Sequence, residues 1–205
     1  TSMLAEDLKP NRLEAAKDVA AEFINGRPND NIGITLFAGE TFTQCPLTVD
    51  HAVLLDMIHN IKCGLITDGT AVGMGIANAV TRLKDSKAKS KVIILLTDGT
   101  NNKGDISPMT AAEIAKSFGI RVYTIGVGTN GMAPYPYPVG NTVQYVSMPV
   151  EIDEKTLTEI AGTTDGNYFR ATSNSKLKEV YEEIDKLEKT KLNVKEYSKR
   201  DEEYH

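Results

Sequence analysis

Three oxygen-bearing side chains, far apart in the chain, have the chemistry to bind one metal ion together. Ser2 stands near the start of the chain, Thr70 follows a glycine before an expected helix, and Asp98 follows a continuous apolar run. Hydroxyls and a carboxylate are hard ligands that suit Mg²⁺ or Mn²⁺. Because this set carries little negative charge, a bound ion would stay electrophilic and could accept a carboxylate from a partner.

Two of these residues also have an ordinary explanation. Thr70 can cap its helix, which is a common role for threonine. Asp98, followed by a glycine, can form a simple turn. The positions of both at the same expected edge of a sheet, together with Ser2, favour a shared site over unrelated structural roles.

Enzymatic chemistry fits the sequence poorly. The glycine-rich segment 69–75 lacks the Gly-Lys-Ser/Thr of a phosphate loop and does not directly follow a strand, as a dinucleotide site requires. There is no Gly-x-Ser-x-Gly motif, and His51 and His59 have no partner pattern. A metal-assisted hydrolase would need a general base near Asp98, and none is evident in the sequence. We therefore expect a protein that is not an enzyme.

Length and composition indicate one globular domain. The chain has 205 residues, of which 40% are hydrophobic and 25% charged, and its net charge of -5 argues against nucleic-acid binding. Its longest apolar run, 92–96, is far shorter than the roughly 18 residues that span a membrane. Cys45 and Cys63 could form one bridge, but two unreactive thiols are favoured. Because the chain opens at Thr1 without Met or a signal peptide, we expect a piece of a longer protein.

The elements that would position the three residues alternate between strand and helix. Helices are predicted at residues 12–25, 50–60, 71–83, 107–118, 153–161 and from 173 onward. Strands are predicted at residues 31–38, 41–47, 92–96, 121–127 and 166–171. This pattern predicts an α/β fold with a doubly wound, mostly parallel sheet, helices on both faces and one antiparallel edge strand. Ile94, in the middle of the apolar run, is expected to be almost fully buried.

Residues 129–150 are too long for an ordinary strand-to-helix connection. Their alternating second half predicts a hairpin. One hypothesis is that it projects beside the metal and selects the partner, with Tyr135 and Tyr137 as contacts. The alternative, equally weighted, is a hairpin that packs on the domain and covers a sheet edge.

The three site motifs resemble the metal-ion-dependent adhesion site (MIDAS) of von Willebrand factor A (VWA) domains. That site combines Asp-x-Ser-x-Ser after the first strand, a Thr in a Gly-rich loop, and an Asp at the end of the fourth strand. Ser2, Thr70 and Asp98 match three of these five ligands. Segments 10–13 and 97–104 further resemble bacterial Bat proteins, the aerotolerance-related membrane proteins, and are more BatA-like than BatB-like.

The resemblance implies a Rossmann-like VWA domain over residues 1–192 and a charged linker over 193–205. The Asp and first Ser of the motif, and the first central strand, would lie before Thr1. Without that strand the sheet would have a gap with two unpaired interior edges, unless upstream residues or another segment filled it.

The resemblance also implies a function. We expect a non-enzymatic protein-interaction module that binds a partner's acidic side chain through Mg²⁺, or Mn²⁺, held by Ser2, Thr70 and Asp98. Expected partners are other Bat proteins or a MoxR-type AAA+ ATPase. Inner-membrane anchoring would come through segments outside this chain, with the domain on the periplasmic side or, alternatively, the cytoplasmic side. A structural scaffold with an empty metal site is the alternative function.

Overall fold

Strands and helices alternate along the chain, as the sequence predicts. The structure is a computed structural model that describes residues 2–64 and 67–203, with side chains through residue 191. The strands are β1 Ile32–Phe37, β2 Thr41–Thr48, β3 Lys91–Thr97, β4 Ile120–Val127, β5 Met132–Val139, β6 Thr142–Pro149 and β7 Tyr168–Ala171. The helices are α1 Arg12–Asn25, α2 His51–His59, α3 Val72–Leu83, α4 Pro108–Ser117, α5 Glu154–Thr163 and α6 Asn174–Glu203. A single 3₁₀ turn, Ser2–Leu4, precedes α1.

Three parallel strands form the central sheet in the order β3-β4-β7. One apolar core on this sheet involves α3, α4 and α5, and the core on its other face involves α1 and α6. β1 and β2 form an antiparallel pair, and β5 and β6 form another. The predicted α/β fold, with a parallel sheet between helices and additional antiparallel strands, is confirmed.

The expected gap in the sheet is present in the part of the chain that the structure describes. There, β1 pairs only with β2, and β3 pairs only with β4. Helix α3 packs on both β1 and β3, and it joins Phe37, Ile93 and Leu95 in one core. The two strands therefore lie under the same helix without hydrogen bonds between them, and each keeps one edge of free backbone groups.

Side-chain caps set most of the predicted helix starts. Asn11, Asp50, Ser107 and Asp153 each accept a hydrogen bond from the backbone N–H three residues later, which satisfies one of the free donors of the first turn. Helix α6 continues through much of the segment predicted as a linker, and residues 204 and 205 of that segment lie outside the described residues. The division of the chain at residue 192 stays a prediction.

Helix α6 packs on one face of the parallel sheet and runs from its carboxyl edge to its amino edge. Side chains of the helix make hydrogen bonds at both edges. At the carboxyl edge of the sheet, the Asn174 side chain accepts from Lys9 N at 2.8 Å and donates to Lys9 O at 2.6 Å. At the amino edge, the buried Glu188 carboxylate accepts from Arg121, from Tyr123 Oη at 2.6 Å and from Ser90 Oγ at 3.0 Å. Burial would raise the pKa of Glu188, but these bonds lower it, so the carboxylate stays charged.

The expectation that Ile94 is almost fully buried is wrong. Ile93 and Leu95 are buried against α3 and α4, but Ile94 points to the opposite face and is only partly buried. A continuous apolar run predicts cover on both faces of a strand, whereas the cover at one residue depends on its neighbours. Among the described residues, β3 is paired with a strand on one side only.

Substitution of Leu95 and Ile94 by Ala should therefore differ in effect. Leu95→Ala should lower the free energy of unfolding by about 2–5 kcal/mol, from lost burial and the cavity left behind. Ile94→Ala should cost clearly less, because its side chain is already partly exposed. Urea denaturation of both variants measures the difference. Equal losses would contradict the partial exposure of Ile94.

Candidate functional site

The three predicted site residues meet at the carboxyl edge of the sheet. Asp98 directly follows β3, and Ser2 Oγ donates to Asp98 Oδ1 at 2.8 Å. Thr70 reaches the same place, because a Cβ built on Gly99 would lie 3.2 Å from Thr70 Oγ1. Strand β3 thus delivers the carboxylate, while the chain start and the loop before α3 deliver the hydroxyls. The role of these residues as metal ligands stays a prediction.

Thr70 does not cap α3, so its ordinary explanation is wrong. The N-cap residue is Ala71, and the backbone N–H of Val72 is satisfied by Asn101 Oδ1 at 2.8 Å. Asn102 holds the Thr70 backbone from both sides, accepting from its N–H at 2.9 Å and donating to its carbonyl at 2.9 Å. Among the described residues the Thr70 hydroxyl has no hydrogen-bond partner. Asn101 and Asn102 therefore fix the backbone of this loop, and they make no hydrogen bond to the Thr70 hydroxyl.

The glycines of segment 69–75 serve packing. A Cβ at Gly73 would lie 2.0 Å from the carbonyl oxygen of Ile106, and one at Gly75 would lie 2.9 Å from the Phe37 ring. Close approach of α3 to its neighbours therefore requires glycine at both positions. This accounts for the glycine-rich pattern without a bound phosphate.

Arg12 is the residue that sequence reasoning missed. It is 3% exposed and lies at the first position of α1. Its Nη1 donates to Asp98 Oδ2 at 3.0 Å, while Nε and Nη2 donate to the two oxygens of Asp7 at 2.8 and 2.7 Å. The guanidinium thus joins two carboxylates, one of them the candidate metal ligand. A basic residue at the start of a helix, where acidic residues are favoured, is the signal that could have identified it.

Asp7 connects Arg12 to the loop after β4. Its carboxylate also accepts from the backbone N–H of Thr129 at 2.8 Å and of Leu8 at 3.1 Å. Burial would raise the pKa of Asp7, but the bonds from Arg12 and Thr129 lower it below its ordinary value of 3.8. Burial would likewise lower the pKa of Arg12, but Asp7 and Asp98 raise it. Both shifts favour the charged forms, so Asp7 and Arg12 stay ionised at neutral pH.

The predicted hairpin is confirmed as β5 and β6, and its base touches the site segment. Glu6 N donates to Pro134 O at 2.9 Å, and Tyr145 Oη donates to Glu6 Oε1 at 3.1 Å. In the described chain the hairpin is a two-stranded sheet of its own and forms no backbone ladder with another sheet, so cover of a sheet edge stays a prediction. Tyr137 is exposed and Tyr135 is partly buried. Selection of a partner by the hairpin stays a prediction.

The candidate nucleophiles and bases of an enzyme have structural roles. His51 Nε2 and His59 Nδ1 contact backbone carbonyl oxygens at 2.8 and 2.7 Å. Cys45 and Cys63 are free, as favoured from the sequence, and burial raises the pKa of both thiols. A raised pKa reduces the reactive thiolate at neutral pH.

The donors at the site fit a hard divalent ion. No group of three or more His, Cys, Asp or Glu side chains forms a metal cluster in the described residues. The convergent ligands are instead two hydroxyls and one carboxylate. Within residues 2–64 and 67–203, Thr70 Oγ1 has no hydrogen-bond partner and Asp98 Oδ1 accepts from Ser2 alone. Oxygen ligands of this kind suit Mg²⁺ or Mn²⁺ better than softer metals.

Comparison with known proteins identifies the family. The family model of the von Willebrand factor type A domain matches residues 1–183. The chain belongs to this family. Among solved structures, BatB from Bacteroides thetaiotaomicron is 34% identical with a TM-score of 0.78, covering 92% of this chain and 94% of that one. An aerotolerance-related membrane protein from Bacteroides fragilis is 31% identical with a TM-score of 0.77, covering 90% and 92%.

Curated relatives are longer than this VWA domain. A UPF0353 protein from Nocardia farcinica is 32% identical over 202 residues, which cover 90% of this chain and 59% of that protein. An uncharacterized protein from Borreliella burgdorferi is 28% identical over 186 residues, covering 90% and 54%. The chain therefore spans little more than half of these relatives. The resemblance to Bat proteins is confirmed, while the finer assignment as BatA-like stays a prediction.

No helix in the described residues is both long enough and apolar enough to cross a membrane. The Bacteroides fragilis relative is described as a membrane protein.

Removing the charge of Arg12 should destabilise the domain strongly. Arg12→Gln leaves two carboxylates without their cation and should cost about 3–5 kcal/mol in the free energy of unfolding. Arg12→Lys is the matched control, since it keeps the charge but loses the fork that serves both carboxylates, and should cost less. Denaturant unfolding at neutral pH measures both. Unchanged stability of Arg12→Gln would contradict the assigned role.

The stability contributed by Asp7 should depend on pH. Because its pKa is lower in the folded than in the unfolded protein, its contribution is present above pH 3.8 and is lost as the pH falls through the folded pKa. The stability difference between the wild type and Asp7→Asn should therefore shrink below that pH. Chemical denaturation at a series of pH values tests this. A difference that stays constant down to about pH 2 would contradict it.

Proposed function

We propose that this VWA domain is a metal-dependent protein-binding module. The observation that carries the proposal is the Thr70 hydroxyl, which has no partner among the described residues and lies beside the Ser2–Asp98 pair. An unpaired hydroxyl next to a hydroxyl–carboxylate pair matches an ion that prefers oxygen ligands. Membership of the VWA family, where such sites recur, supports the assignment.

Each residue has a separate role in this proposal. Ser2 and Thr70 would present neutral hydroxyls to Mg²⁺ or Mn²⁺, and Asp98 would contribute Oδ1, directly or through water. Arg12 keeps Asp98 Oδ2 occupied and so fixes which carboxylate oxygen faces the site. When bound, the ion would supply an electrophilic position for an acidic side chain of the partner protein.

The Bat-like relatives support the cellular context. We propose a domain of an inner-membrane-anchored protein, on the periplasmic side, whose anchor lies outside this chain. Other Bat proteins or a MoxR-type AAA+ ATPase are the proposed partners. A non-enzymatic role agrees with the contacts of His51 and His59, which are satisfied by backbone carbonyls.

One observation favours the scaffold alternative. The Arg12 guanidinium already neutralises Asp98, with Nη1 at 3.0 Å from Oδ2. A built-in cation of this kind would stabilise the loops of the site without any metal. Metal titration distinguishes the two functions, because only the binding module requires the ion.

Thr70→Val should weaken Mg²⁺ binding at least tenfold, which is about 1.4 kcal/mol. The substitution removes one hydroxyl and keeps the shape of the side chain. Since that hydroxyl has no partner in the described structure, folding should be unaffected. Isothermal titration of the full-length protein with Mg²⁺, and separately with Mn²⁺, measures the affinity, and thermal unfolding in EDTA serves as the control.

The outcomes separate the two functions. Absence of binding by the wild type to either ion would favour the scaffold, and equal affinities of wild type and Thr70→Val would exclude Thr70 as a ligand. Asp98→Ala is a poorer probe than Thr70→Val. Asp98 is 8% exposed and paired with Arg12, so its removal should also destabilise the domain.

A further inference from the structure

The two outer edges of the β5–β6 hairpin differ in their hydrogen-bonding groups. Val150 N donates to Gly131 O at 2.8 Å, so these two residues form a hydrogen-bonded pair. From there towards the turn of the hairpin, non-hydrogen-bonded and hydrogen-bonded pairs alternate. With this register, every second residue of each strand directs its N–H and C=O away from the partner strand. On β5 these outward residues include Pro134, Pro136 and Pro138.

The outer edge of β5 is therefore closed to another strand. Its three prolines have no N–H, so the edge offers carbonyl acceptors without the donors that a ladder needs. One of these carbonyls, Pro134 O, is occupied by Glu6 N at 2.9 Å. Prolines on an edge strand are a known protection against unwanted pairing.

The outer edge of β6 is open. Its outward residues Val143, Tyr145 and Ser147 stand opposite the three prolines and keep both N–H and C=O. All of β6 is exposed, and in the described chain no third strand joins this sheet. Backbone donors and acceptors alternate along these three residues. The group that fits them is the backbone of another extended strand.

The side chains around this edge are compatible with an identical copy. No charged residue occurs between Arg121 and Glu151, whereas 25% of the whole chain is charged and its net charge is -5. Two copies of the hairpin can therefore approach without the like-charge repulsion that acts elsewhere on the surface. Glu6, the carboxylate that Tyr145 contacts, is paired with Lys9 Nζ at 3.8 Å.

We propose that β6 pairs antiparallel with β6 of a second copy of this chain. A two-fold axis at Tyr145 would place Tyr145 opposite its equivalent and Val143 opposite Ser147 of the other copy. Six backbone hydrogen bonds then join the hairpins in a four-stranded sheet. Both outer edges of that sheet are the proline-blocked β5 edges, so assembly stops at two copies.

Sedimentation equilibrium over concentrations up to about 1 mM tests this proposal. The wild type should approach twice the monomer mass of 22.4 kDa. Ser147→Pro removes an outward N–H without touching the β5–β6 bonds and should weaken dimerisation at least tenfold, while Ser147→Ala keeps the N–H and should dimerise like the wild type. Dimerisation should be the same in Mg²⁺ and in EDTA, which separates this proposal from the metal-binding one.

Cross-linking provides a second readout that does not depend on a proline. Tyr145→Cys should form an intermolecular disulfide on oxidation, because residues directly opposite in a hydrogen-bonded pair have Cα atoms about 5.5 Å apart. Gln144→Cys, which would not face its own equivalent, should not. A monomer at every concentration, open-ended assembly, or equal dimerisation of Ser147→Pro and Ser147→Ala would overturn the proposal. A monomer would leave the edge to a strand of another protein.

Discussion

A buried arginine holds the candidate site together. Arg12 joins Asp7 and Asp98 from a position that is 3% exposed and so links the start of α1 to the end of β3. Asp7 extends this link to the loop after β4 by accepting from Thr129 N. A buried guanidinium is tolerated only when its donors are matched by acceptors, and here two carboxylates supply them. The site loops are therefore arranged around this cation, and the geometry of Asp98 depends on it.

This arrangement restricts what the site can bind. One oxygen of Asp98 is committed to Arg12, so the site presents a single carboxylate oxygen and two hydroxyls. Such a donor set is poor in negative charge. Under the proposed function, the same arginine that orders the site would leave a bound ion only partly neutralised and so able to accept an anionic group from a partner.

Local features were predictable from the sequence, and distant pairings were not. The start of α1 at Asn11, with Glu14 three residues later, was predictable because a cap involves neighbours in the chain. The place of Asp98 was predictable because it directly follows a parallel strand, and the place of Thr70 because it precedes a helix that begins at the same edge of the sheet.

The pairing of Arg12 with Asp98, 86 residues away, leaves no local pattern. The partial exposure of Ile94 and the length of α6 also escaped prediction. The first depends on a neighbouring strand, and in α6 good helix formers such as Lys and Glu maintain the helix after its apolar face ends.

Helix α6 gives the domain a mechanical direction. It is bonded to Lys9 at the carboxyl edge of the sheet and to the amino edge through Glu188. The Glu188 bonds and the apolar face of α6 both lie between the carboxyl-terminal end of the helix and its bonds to Lys9. A force applied at that end would therefore act on the Glu188 contacts before it reached the segment that carries Ser2.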